Sequence, residues 1–147
     1  MARLKIALPA KFTFATTIAI RITDINYGGH LGNDALLSIL HEARVQFLGH
    51  HGYAELDIAG KSLIMADVAI EYKGEAFRGN VLTVELAAHD FTRYGFDIAY
   101  RVTNQKQKLI AVAKTGMLCF DYGTRKVISL PPAVAAQLVL EAPVPEN

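Results

Sequence analysis

The chain has a single cysteine, Cys119, and so can form no intrachain disulfide. Neither charge is in excess: 15 basic and 14 acidic residues are spread along the 147, for a formal net charge of +1. There is no basic block and no basic-aromatic interleaving, which argues against nucleic acid as a partner. Although 52% of the residues are hydrophobic, no uninterrupted apolar run approaches the roughly 20 residues that cross a bilayer. The opening MARLKIALPAKFTF lacks the apolar core of a secretory signal. Repeats, low-complexity tracts and interdomain linkers are missing too. These absences predict one domain over residues 1–147, cytoplasmic and without a membrane span, whose surplus apolar surface goes to a subunit interface. Cys119, inside the apolar run TGMLCFDY, reads as a small core residue rather than a nucleophile.

What is present falls into two patterns. Residues Phe12 to Thr23 are rich in β-branched and aromatic types, with Ile18, Ile20 and Ile22 alternating against Thr17, Ala19 and Arg21, which predicts a strand. From Asp34, the positions Leu36, Leu37, Ile39, Leu40, Ala43, Phe47 and Leu48 recur at helical spacing until Gly49 and Gly52. The apolar stripe is broad, so this helix should be wrapped by other elements. SLIMADVAIEYKGEA, NVLTVELAAHDF, YGFDIAYRVTNQ and KLIAVAKTGMLCFDY then read as four strands. GEAFRGN, HDFTRYG and TNQKQK are turns short enough to join antiparallel neighbours. A brief helix opened by Pro131 and Pro132 and a proline-bearing tail close the chain. One strand, one long apolar helix and a run of antiparallel strands make an α+β pattern of the hotdog kind, a curved antiparallel sheet wrapped around one long central helix. In SLIMADVAIEY both faces are apolar, which fits a strand covered by, or paired with, a second subunit.

The joint between first strand and helix, TDINYGGHLGND (residues 23–34), concentrates polar and flexible residues. Glycines at 28, 29 and 32 let a ligand approach the backbone, and the first helical N–H groups are unpaired at the positive end of the helix dipole. That combination suits an oxyanion. Asn33 is of a preferred N-cap type and Asp34 suits the first turn, so both side chains also have a purely structural explanation. His30 can act as acid, base or donor near neutral pH, or serve as a structural hydrogen-bonder. His41, His50 and His51 lack metal-ligand spacing from a second cluster, and no metal site is expected. Lys73, Arg78 and Arg93 lie in or near turns and are candidates for phosphate, each also readable as surface charge.

D-I-N-Y-G-G-H-L-G-N, followed by a helix containing H-E-A-R, resembles the acyl-CoA thioesterases of the hydroxybenzoyl-CoA thioesterase class within the hotdog superfamily. Their pattern is approximately D-x-D-x-x-G-H-V-N-N-x-x-Y with a later E-x-A-R. The match is close over residues near 15–50; beyond that the strands agree in order and length more than in motif. Asp24 falls on the first aspartate, Gly29 and His30 on the Gly-His, Asn33 on the last asparagine, and Glu42 and Arg44 on the helix element. Asn26 departs from the pattern: many members keep a nucleophilic or basic aspartate there, and an amide can be neither at neutral pH.

The resemblance implies hydrolysis of an acyl thioester, acyl-CoA or acyl-carrier protein, with no cofactor besides the CoA of the substrate. Asn26 could orient a water or hold the carbonyl while His30 takes the proton, with Asp24 next in line as carboxylate or His30 partner. Plant acyl-carrier-protein thioesterases resemble this arrangement. Glu42 could act from the helix or simply pair with Arg44. Tyr27, Gly28, Gly29, Gly32 and Asn33 would shape the substrate site, backbone N–H groups around Gly32 and Asn33 would form the oxyanion hole, and the acyl chain would run beside Leu63, Met65 or Ala66. A homodimer at least, or a dimer of dimers, would close the groove. Two rivals stand beside this: a hotdog enoyl-CoA hydratase or dehydratase, whose Asp-x-Asn-Pro-x-His signature is met only at its start, and an acyl-CoA-binding hotdog protein without turnover.

Overall fold

The structure is a computed structural model in which residues 3–140 are described. Its elements are β1 (Phe14–Ala19), α1 (Asn33–His50), β2 (Ser62–Tyr72), β3 (Val81–His89), β4 (Gly95–Thr103), β5 (Leu109–Asp121), β6 (Lys126–Val127) and α2 (Pro132–Leu138). The strands form one antiparallel sheet in the order β1-β3-β4-β5-β2, with the short β6 beside the end of β5. The four strands after the helix stand where alternation places them, and α2 begins at the proline pair; the proline-bearing tail lies mostly outside the described residues.

Three expectations need correction. The first strand stops at Ala19 rather than running to Thr23, because Ile22–Asp24 turn into a single 3-10 turn whose Asp24 carboxylate accepts the Arg21 amide at 2.8 Å. The cap of α1 is Gly32, not Asn33, and no side chain caps it; the helix also runs through Gly49 to His50. Finally, GEAFRGN does not join neighbours. It carries the chain from β2 at one edge of the sheet to β3 beside β1, whereas the turns HDFTRYG and TNQKQK do join adjacent strands. Strand periodicity fixes which face a side chain takes, not which strand lies alongside.

One face of the sheet and the inner side of α1 make the core. Leu36, Ile39, Leu40, Ala43, Phe47 and Leu48 of the helix meet Leu82, Val84, Leu86, Ile98, Tyr100 and Val102 of the strands, all buried. Burying Phe47 completely is worth roughly 1.5–3 kcal/mol against leaving it exposed. The Cys119 thiol is buried among them, and burial pushes its pKa up, which suits a core residue. The chain alone wraps only one side of α1: Leu37 and Val45 stay 38% and 46% exposed. β2 is an edge strand whose Met65, Val68 and Tyr72 are exposed. On the opposite face of the sheet, Ala87, Ala99 and Val112 are buried, and the N-terminal segment contacts the neighbouring Glu71 and Arg101. That segment is held by Ile6 N–H donating to Glu71 Oε2 (2.8 Å) and by Arg101 over the Phe12 ring.

The end of α1 meets α2 through His51, whose Nδ1 is 3.5 Å from Gln137 Nε2, whose ring meets Phe47 edge-on at 5.3 Å, and whose Nε2 is buried without a partner among the described residues. Burial, then the neighbouring His50, holds its pKa below 6.5. Between that lowered folded value and 6.5 the unfolded chain binds more protons, so stability rises with pH through this window. The melting temperature is therefore expected to fall as pH drops below 6.5 and His51→Gln to flatten the fall; an identical pH profile in the variant would refute the assignment.

Candidate active site

The loop from Asp24 to Gly32 is built by its own backbone. Asn26 N–H donates to the His30 carbonyl (2.9 Å), Gly29 N–H to the Asn26 carbonyl (3.1 Å), and Ile25 and Leu31 form an isolated bridge. Gly29 has φ 84°, a left-handed conformation that glycine adopts without strain. Two further bonds moor the loop: Leu31 N–H to the Ala76 carbonyl (2.7 Å) and Gly32 N–H to the Asp24 carbonyl (3.0 Å). The second has a chemical consequence. Gly32's amide is already engaged, so the donors left at the helix start are those of Asn33, Asp34 and Ala35, which the helix cannot satisfy.

Two side chains face one another across Gly28. The point a Gly28 Cβ would occupy lies 3.2 Å from Asn26 Oδ1 and 3.3 Å from His30 Nε2. Asn26 Oδ1 accepts the Gly28 amide at 2.9 Å and keeps a second lone pair. His30 Nδ1 is 3.3 Å from the Leu31 carbonyl. A carbonyl only accepts, so this bond places the proton on Nδ1 and leaves a lone pair on Nε2, the nitrogen that points toward Gly28 and Asn26. The neutral histidine is thus oriented as a base.

Asp24 is buried and turned away: its carboxylate takes the Arg21 amide at 2.8 Å and the Arg21 guanidinium at 3.3 Å. Tyr27 is fully exposed at the loop tip. Tyr72, which sequence reasoning did not single out, reaches the helix start and donates to the Asn33 carbonyl at 3.3 Å. Burial, then Asp34, pushes its phenol up, so it remains a donor at neutral pH. Asp24, Asn26, Tyr27, Gly28, Gly29, His30, Gly32 and Asn33 therefore share one joint.

Glu42, Met65 and Ala66 lie elsewhere in this chain. Glu42 is nine residues beyond Asn33, roughly 13 Å along the axis, and accepts from Gln46 at 3.1 Å in a groove of about 510 Å³ between β1 and α1. Met65 lines a cleft on the other side of α1, whereas Ala66 sits at an irregularity in β2, where the register shifts between Met65 and Asp67, and lines a separate hollow with Asp67 and Asp97. Of the basic candidates, Lys73 and Arg78 flank Ala76, whose carbonyl moors the loop, while Arg93 sits at the far end of the sheet near Ser129 (3.3 Å). Among the described residues one group has ligand-type atoms within 4.8 Å, His89, Asp90 and Asp97, with Lys114 Nζ 3.6 Å from Asp97 as a competing cation.

The family profile described as the thioesterase-like superfamily matches residues 20–138 of the chain. No curated protein matches it in sequence. Solved structures resemble it in fold. A 1,4-dihydroxy-2-naphthoyl-CoA thioesterase from Synechocystis superposes with TM-score 0.77 at 21% identity, covering 85% of this chain and 94% of that one. DHNA-CoA thioesterase from Staphylococcus aureus gives 0.73 at 21% identity over 79% of each chain. YbaW, a probable thioesterase from Escherichia coli, gives 0.71 at 20% identity, over 85% of this chain and 98% of that one.

Gly28 has no left-handed φ, so Gly28→Ala tests the space between Asn26 and His30 rather than backbone strain. We expect the variant to melt within a few degrees of the parent while losing most turnover of any thioester the parent cleaves. Full activity in a folded Gly28→Ala protein would remove this spot from the site.

Proposed function

We propose, from the premise that the chain belongs to the thioesterase-like superfamily and is a thioester hydrolase, that it cleaves acyl-CoA with a water held between Asn26 and His30. The observation that carries this reading is the pair of acceptors beside Gly28: Asn26 Oδ1 and His30 Nε2 lie 3.2 and 3.3 Å from the point a Gly28 Cβ would occupy, so both border the open space beyond the Gly28 Cα. A water in that space, at van der Waals distance from the Gly28 Cα, donates one hydrogen to each, and its oxygen lone pair faces outward to the thioester carbon. As the C–O bond forms, Nε2 takes the proton; the carbonyl oxygen becomes an oxyanion, and the amides of Asn33, Asp34 and Ala35 at the positive end of α1 receive it. Collapse breaks the C–S bond, and the proton on Nε2 goes to the departing thiolate. Asn26 thereby fills the place of the family's aspartate as an orienting group, with His30 as base. Asp24 serves as the mooring of the loop through Arg21 and Gly32.

The remaining parts follow from charge and exposure. Lys73 and Arg78, beside the moored loop, suit the phosphates of CoA. The exposed edge strand β2 and outer side of α1 suit a second copy of the chain, which would complete the wrapping of the helix in hotdog fashion and close the acyl cleft beside Met65. A lone buried thiol suits the reducing cytoplasm.

The test is thiol release from a panel of acyl-CoA and acyl-carrier-protein thioesters, on protein whose mass by solution scattering is expected to be at least twice 16.1 kDa. His30→Ala should lower kcat/KM by roughly 10²–10⁴. Release that survives loss of both Asn26 and His30 overturns the site, and a monodisperse monomer overturns the interface. Hydration of enoyl-CoA without thiol release, or saturable binding with neither reaction, would move the chain to a different activity.

A further inference from the structure

The cleft that Met65 lines, on the side of α1 away from Glu42, has a volume of about 220 Å³. Its walls include Leu37, Leu40 and Met65, and its floor contains two polar residues that the reaction does not use, Arg44 and Thr115, both almost fully buried. Arg44 Nε donates to Glu55 Oε1 at 2.6 Å and Nη1 to the Tyr100 hydroxyl at 3.2 Å; the Tyr100 hydroxyl is 2.8 Å from Thr115 Oγ1. A guanidinium only donates, so the Tyr100 oxygen accepts from Arg44; among the described residues Thr115 Oγ1 is the one acceptor paired with the buried Tyr100 hydroxyl, so the Tyr100 hydrogen is assigned to it. Burial pushes the Tyr100 phenol up, against the opposing pull of Arg44, so that hydrogen is in place at neutral pH. The Thr115 hydrogen is then left over, and among the described residues Arg44 Nη2 has no acceptor either. The floor thus offers donors.

Glu55 already neutralises Arg44. A second carboxylate in the half-buried cleft would bring uncompensated negative charge, whereas a neutral oxygen would be matched. Size narrows the occupant further: an apolar cavity of about 150 Å³ takes up benzene, so the 220 Å³ above this floor suits a short or ring-sized group. Leu40 lies five residues beyond Ala35, the last of the free amides, roughly 7.5 Å along the helix, a span that an extended acyl group of about six carbons fills once its terminal methyl is counted. We infer that this cleft is an acyl pocket selecting short neutral acyl groups that carry a keto or hydroxyl oxygen at the far end, with Thr115 and Arg44 as the specificity-determining donors. The inference rests on the hydrolase reading for the position of the thioester, but not for the chemistry of the floor.

Three thioesters of equal chain length separate the alternatives: hexanoyl-CoA, 5-oxohexanoyl-CoA and adipoyl-CoA. The expected kcat/KM for 5-oxohexanoyl-CoA exceeds that for each of the others by about tenfold, the scale of one well-placed hydrogen bond. Thr115→Val, which keeps the volume and removes the hydroxyl, should reduce the ratio of 5-oxohexanoyl to hexanoyl turnover to within about threefold, and Thr115→Ser should restore it. Equal turnover of the keto and plain thioesters, or a ratio unmoved in Thr115→Val, overturns the pocket while leaving the hydrolase intact. Should no thiol be released, the same thioesters are compared by calorimetric binding. Keto-selective binding without release then sinks the hydrolase reading and keeps the pocket; non-selective or absent binding sinks the pocket as well.

Discussion

The site depends on one backbone hydrogen bond, from the amide of Gly32 to the carbonyl of Asp24 at 3.0 Å. It closes the loop into a ring and sets the direction in which α1 leaves it. Asp24 can hold that position because its carboxylate is itself buried against Arg21, which bends the chain at the end of β1. With the ring closed, Asn26 and His30 stand on either side of Gly28, and the free amides of the first helical turn face the same joint. Leu31 ties the ring to the segment after β2, so the loop is anchored to the chain that leads into β3.

The fold was readable to the extent that it is written in periodicity. Strands β2 to β5 and helix α1 announced themselves because their apolar residues repeat at the spacing of one buried face. What periodicity does not encode is pairing. The crossing from β2 to β3 over the eight residues 73–80 looks like a hairpin turn in sequence, yet β5, not β3, takes β2 as partner. The 3-10 turn at Ile22–Asp24 was hidden for a similar reason: Ile22 continues the alternation of Ile18 and Ile20, yet it is 64% exposed once Asp24 caps the backbone.

Within the site, residues close in sequence were legible together and residues distant in sequence were not. Eight of the candidates belong to positions 24–33 and meet because the loop is short. Glu42 shares their helix but stands too far along it, and Met65 and Ala66 are parted at the irregularity of β2 between Met65 and Asp67. Tyr72 and the Arg44, Tyr100 and Thr115 chain come from separate elements. Arg44 was legible as part of the helix element, whereas the signal of the strand members is a polar group interrupting an apolar strand, as Thr115 does between Val112 and Met117. Buried polar groups need partners, so such interruptions point to a network without naming its other members.

The engaged amide of Gly32 moves the expected oxyanion donors onto Asn33, Asp34 and Ala35, and this is the centre of the account. An acyl-CoA analogue in which the thioester sulfur is replaced by a methylene keeps the carbonyl and cannot be hydrolysed. Titrated into ¹⁵N-labelled protein, it should shift the amide resonances of Asn33, Asp34 and Ala35 most, with the His30 ring responding in parallel. Unmoved amides at the helix start, with the largest shifts instead around Arg21 and Glu42 in the groove between β1 and α1, would contradict it.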